Sequence, residues 1–128
     1  MKKILLIEDD PFLIDIYTTK LKESDFTVEV ASDGEKGLKE LTEKSFDLLL
    51  LDIVLPRIDG WEIMEKIKDL KSNFKQLEGL KIVILSNLGQ KEEVEKGMEL
   101  GATKYLIKAH YTPSEVVAEI EQLLGDER

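Results

Sequence analysis

Five short apolar runs punctuate the chain: ILLI at Ile4 to Ile7, FTVEVA at Phe26 to Ala31, LLLL at Leu48 to Leu51, IVIL at Ile82 to Leu85 and YLI at Tyr105 to Ile107. The first, third and fourth show no alternation with polar residues. Continuous apolar runs bounded by charges suit strands covered on both faces of a parallel sheet. The second run alternates, with Thr27 and Glu29 facing away from Val28 and Val30. That pattern predicts a more exposed edge strand.

Helical periodicity fills the intervals, with start signals in place. Asp10-Pro11 reads as an N-cap followed by proline in the first turn, and Phe12, Leu13, Ile16, Tyr17 and Leu21 form the apolar stripe behind it. Ser32 with Glu35 fits a capping box ahead of Leu38 and Leu41, and Asp59 with Glu62 fits another ahead of Ile63, Met64 and Ile67. Thr112, Pro113 and Glu115 open the last helix, which Gly125 ends. Gln90 to Leu100 is the weakest helix: Val94 and Met98 are its apolar anchors, Gly97 lowers its propensity and Gly101 closes it. Lys71 to Gly79 reads as a surface loop.

Strand then helix, five times over, predicts a doubly wound α/β fold with one parallel sheet and helices on both faces. In such a sheet ligands bind beyond the carboxyl ends of the strands, near the point where strand order reverses. The predicted strand ends carry Glu8 and Asp9 (first), Asp52 (third), Ser86 (fourth) and Lys108 (fifth). Asp10 is spent as a cap. Any one of these residues alone is an ordinary turn or surface group; together they put carboxylates, a hydroxyl and an ammonium on one edge. The acids repel. At ~4 Å and an effective dielectric near 20, each pair costs roughly 4 kcal/mol, so the cluster implies a cation.

Composition narrows the classes. The 128 residues suit one compact domain, and 42% are hydrophobic, enough for one core. With 27 Asp and Glu against 18 Lys and Arg, the net charge is −9, which argues against a general nucleic-acid or anionic-membrane binder. No cysteine is present, so disulfides and thiolate metal sites are excluded. No apolar stretch nears the ~20 residues of a membrane span, and MKKILLIEDD meets acids too soon for a signal peptide. A cytoplasmic location is expected.

IEDDP, DIVLPRIDGWE, ILSN and YLIK, in this order and spacing, resemble the marks of the response-regulator receiver domain of two-component signal transduction. The resemblance covers nearly the whole chain. It implies a flavodoxin-like (βα)5 fold with strand order 2-1-3-4-5, and residues 1–128 as a single receiver domain with no output domain. It implies Asp52 as phosphoacceptor, with Ser86 and Lys108 contacting the phosphoryl group. It implies Glu8, Asp9, Asp52 and the backbone carbonyl of Val54 as ligands of Mg²⁺ (or Mn²⁺), and Tyr105 as the aromatic switch residue. The implied function is a phosphorylation-dependent signalling switch rather than a turnover enzyme. Its phosphoryl donor is a sensor histidine kinase or phosphotransfer protein, and an output protein is expected on the surface of the fourth helix, fifth strand and fifth helix. On phosphorylation Ser86 is expected to move and Tyr105 to turn inward. The family usually has proline where this chain has Ala109.

Three rival readings have distinct marks. A degenerate receiver would serve as a phosphorylation-independent binding module. An aspartate-nucleophile phosphatase usually carries a second Asp where Val54 stands. A flavin-binding protein would need a Ser/Thr- and Gly-rich loop where EDDP stands.

Overall fold

The computed structural model describes residues 1–125. Ten principal elements alternate: β1 (Lys3–Ile7), α1 (Pro11–Glu23), β2 (Thr27–Ala31), α2 (Gly34–Glu43), β3 (Leu48–Leu51), α3 (Gly60–Leu70), β4 (Lys81–Ser86), α4 (Lys91–Glu99), β5 (Lys104–Ile107) and α5 (Pro113–Leu124). The strands form one parallel sheet in the order β2-β1-β3-β4-β5, as expected.

The unbroken apolar runs follow from side-chain direction. Successive residues of a strand point to opposite faces. Leu5, Ile7, Leu49, Leu51, Ile82 and Ile84 pack on one face with Ile63, Met64 and Ile67 of α3 and Leu41 of α2. Ile4, Leu6, Leu48, Leu50, Val83 and Leu85 pack on the other with Tyr17 and Leu21 of α1 and Val116 and Ile120 of α5. Both faces are roofed, so every position of β3 must be apolar. Each fully buried leucine contributes roughly 1.5–3 kcal/mol. At the sheet edge, β2 leaves Thr27 and Val30 exposed.

Several local expectations need correction. Phe12 is 72% exposed; the inward face of α1 is instead Leu13, Ile14, Tyr17 and Leu21. Leu13, Tyr17 and Leu21 share an i, i+4 row, and the Phe12–Ile16 row is turned about 100° away from it. The cap of α2 is Asp33, which accepts from Lys36 N at 2.9 Å, while Ser32 is exposed. On α4, Met98 is 45% exposed and the residue that meets the sheet is Gly97. The segment before β4 holds a 3₁₀ turn at Lys75–Leu77 whose Leu77 is buried. Gln76 Nε2 donates to the carbonyls of Leu41 and Thr42, at 3.3 and 3.1 Å, closing the end of α2. The other caps stand as read: Asp10 before α1, Asp59 before α3, and the Thr112–Glu115 box before α5. Gly101, at φ +111°, ends α4 in the left-handed region that glycine permits.

Candidate functional site

The site is built by strand register. Asp52 N donates to Ile7 O and Glu8 N to Ala31 O, both at 3.2 Å, so the residues that follow β1 and β3 leave the sheet side by side. Asp10 then diverts the chain: its carboxylate accepts from Phe12 N at 2.9 Å and Leu13 N at 3.4 Å. It is therefore committed to α1. The acids left at the edge are Glu8, Asp9 and Asp52, each with a carboxylate oxygen within 4.8 Å of the others'.

Their environments differ. Glu8 is only 2% exposed and Asp52 7%, while Asp9 lies open to solvent. Lys108, beyond β5, bridges the two buried acids: its Nζ donates to Glu8 Oε1 at 3.1 Å and to Asp52 Oδ2 at 3.0 Å. The remaining Glu8 oxygen accepts from Asp10 N at 3.2 Å, and the remaining Asp52 oxygen from Val54 N at 3.3 Å. Burial first, and then the Asp52 charge, push the Glu8 carboxyl above its usual range, while Lys108 and the Asp10 amide pull the other way without cancelling the rise. Burial alone would lower the Lys108 ammonium, but Asp52 and Glu8 outweigh it and hold it above its ordinary value.

With all four groups ionised, three carboxylates and one ammonium leave a local charge of −2. An all-oxygen, partly exposed donor set with that excess fits a hard divalent cation. Asp9 leaves the site open to solvent on one side. The hollow of about 460 Å³ lined by Met1, Lys2, Phe26, Asp47 and Leu124 lies at the amino-terminal edge of the sheet, away from it.

The other residues singled out in the sequence lie around this cluster. Ser86 ends β4 with no exposed surface, and its hydroxyl accepts from Leu88 N at 3.3 Å. The Val54 side chain is 61% exposed just past Asp52. Tyr105 differs from expectation: it is already inward, donating from its hydroxyl to Leu88 O at 2.5 Å. Burial, followed by Glu93, raises its phenol. Lys108 to His110 form a 3₁₀ turn, and no peptide bond among the described residues is cis, the one before Ala109 included.

Two features escaped the sequence reading. Tyr17, taken as plain core, carries a phenol that burial raises and that also feels Lys108, Glu8 and Asp52. Arg57, in the loop after Asp52, donates from Nη2 to Asp33 Oδ2 at 2.9 Å. Asp33-Gly34 is itself a helix-start signal, but nothing local points Arg57 toward a residue 24 positions away.

Known proteins share this fold. The family model for the response regulator receiver domain matches residues 4–121. The chain is 34% identical over 122 residues to the transcriptional regulatory protein CusR of Escherichia coli, covering 95% of this chain and 51% of that protein. It is 34% identical over 125 residues to the alkaline phosphatase synthesis transcriptional regulatory protein PhoP of Bacillus subtilis, covering 96% and 48%. It thus spans about half the length of these relatives. Among solved structures, the BeF3-activated receiver domain of DrrB, a protein of Thermotoga maritima, superposes with a TM-score of 0.83 at 29% identity, covering 98% of both chains. No helix among the described residues is long and apolar enough to cross a membrane. The chain belongs to the response regulator receiver domains of two-component signal transduction.

Proposed function

We propose that this domain is a phosphorylation-operated switch in which Asp52 accepts a phosphoryl group from a phosphohistidine on a sensor histidine kinase or phosphotransfer protein. One observation carries the reading: Lys108 bridges Glu8 and Asp52 inside a cluster of three carboxylates that follow two adjacent strands, β1 and β3. Such repulsion has no structural use unless a cation and a phosphoryl group belong there.

In the transfer, an Asp52 carboxylate oxygen forms the new bond to phosphorus as the phosphorus–nitrogen bond breaks. The electron pair leaves with the imidazole, which takes a proton from solvent. Such transfers need positioning and charge stabilisation more than covalent help. Lys108 Nζ, 3.0 Å from Asp52 Oδ2, holds that carboxylate in place, and its ammonium is available to the phosphoryl oxygens. Ser86, whose oxygen accepts from Leu88 N, can donate its hydroxyl proton to a phosphoryl oxygen. Asp9 and Val54 leave the mouth open, as a macromolecular donor requires. Mg²⁺ (or Mn²⁺), held by Glu8, Asp9, Asp52 and the Val54 carbonyl, would neutralise charge developing on the phosphoryl group.

The product places a dianion beside Ser86. Movement of Ser86 would carry Leu88, to which Tyr105 is bonded, so the change reaches α4 and β5. We read the α4–β5–α5 face as the output surface. Its partner is a protein rather than nucleic acid, given the chain's net charge of −9, and the compartment is the cytoplasm. The test is incubation with acetyl phosphate and Mg²⁺, followed by intact mass. Wild type should gain one phosphoryl group and Asp52→Asn none; equal labelling of both proteins, or of neither, overturns the reading.

A further inference from the structure

The loop from Ile53 to Asp59 carries Val54, whose carbonyl the proposed function assigns to the metal. At its base the loop is closed by Gly60 N donating to Ile53 O at 2.8 Å. At its apex Arg57 adopts φ +65°, a left-handed backbone that strains a non-glycine residue. A strained residue persists where its surroundings hold it. Arg57 Nη2 meets Asp33 Oδ2 at 2.9 Å, and its Nε lies 3.8 Å from Glu35.

Asp33 is a suitable anchor. It is buried, and its other carboxylate oxygen caps α2 through Lys36 N. The Lys36 amide and then Arg57 hold its carboxyl below the usual range. The loop also rests on α2 directly. A Cβ on Gly34 would lie 2.9 Å from Ile58 O, so the backbones approach to a distance only glycine allows. The start of α2 is thereby a fixed post against which the apex of the loop is set.

We propose that Asp33 and Arg57 form a positioning clasp. By fixing the apex of the β3–α3 loop to the start of α2, they hold Asp52 and the Val54 carbonyl in metal-binding geometry, so that α2 helps to set the domain's affinity for divalent cations. This rests on the phosphoacceptor reading for its purpose, but not for its measurement.

The experiment compares wild type, Asp33→Asn, Arg57→Gly, their double variant and Arg57→Lys. Asp33→Asn keeps a cap acceptor and removes the charge. Arg57→Gly removes the guanidinium and relieves the left-handed strain, so its urea midpoint should change little. Mg²⁺ affinity by calorimetry should fall roughly three- to fivefold in both single variants, as expected for a partly exposed ion pair. It should fall no further in the double variant and be partly restored in Arg57→Lys. In metal-free protein, hydrogen exchange of the Val54 amide, which donates to Asp52 Oδ1, should quicken by a similar factor. Wild-type affinity and wild-type Val54 exchange in Arg57→Gly and Asp33→Asn would overturn the clasp. If acetyl phosphate fails to label wild type while these losses are still seen, the phosphoacceptor reading fails and the clasp stands.

Discussion

A side chain on Gly97 would collide with the ring of Tyr105: a Cβ there would lie 2.7 Å from Cδ2 of Tyr105 and 2.8 Å from Cδ1 of Ile84. The backbone of α4 therefore rests on the inward ring itself. Gly97→Ala should destabilise the domain by roughly 1–3 kcal/mol through overpacking, against a gain of about 1 kcal/mol in helix propensity. The loss should be smaller in a Tyr105→Ala background, where only Ile84 remains in the way. Urea unfolding of the four proteins of this cycle gives the coupling; a coupling of zero would show that α4 yields without involving Tyr105.

Removing Lys108 should have opposite effects on folding and on metal binding. Lys108→Met leaves Glu8 and Asp52 buried without their shared cation, a loss of about 3 kcal/mol in metal-free protein at neutral pH. The same change removes the charge that competes with a divalent ion. Mg²⁺ affinity, measured by calorimetry, should rise while labelling by acetyl phosphate falls. Weaker Mg²⁺ binding in the variant would count against a divalent-cation site at this cluster.

The pH dependence follows from Glu8. Its carboxyl titrates above its ordinary 4.5, because of burial and then Asp52. The folded state thus holds a proton that the unfolded state has released in the interval just above that value. Stability from this group is complete below pH 4.5 and is lost as pH rises through the raised value. At neutral pH the ionised Glu8 is a net cost. In EDTA, Glu8→Gln should be more stable than wild type at pH 7, with a flatter stability profile above pH 4.5. Added Mg²⁺ should stabilise wild type and do little for the variant. Denaturant midpoints across pH 4 to 8, with and without metal, check all of this.

Loss of phosphate should be slow. Val54 is exposed just past Asp52, and Leu88 is half-buried just past Ser86. Two apolar side chains there impede a water approaching the acyl phosphate. Val54→Asn, which offers a hydrogen bond to that water, should shorten the lifetime of phospho-Asp52 several-fold. The decay of the phosphorylated mass after removal of acetyl phosphate measures it, and an unchanged lifetime would refute the role given to Val54.

Much of this molecule is encoded in short range. Runs such as Leu48 to Leu51 declare a strand roofed on both faces, because only an apolar residue can occupy either side of it. Asp10-Pro11 and the Thr112–Glu115 box declare helix starts, because a cap needs only its own three or four residues. Once strands and caps are known, the residues at strand ends follow, so Glu8, Asp9, Asp52, Ser86 and Lys108 could be brought to one edge from the sequence alone. Other relationships depended on how distant elements came to rest. The exposure of Phe12, the contact of Gly97 with Tyr105, the inward hydroxyl of Tyr105 on Leu88 and the reach of Arg57 to Asp33 join residues that no local period relates. Periodicity says which residues share a face of an element. Crossover packing sets the rotation of that face against its neighbour and the distance between them, and these decide which side chains touch.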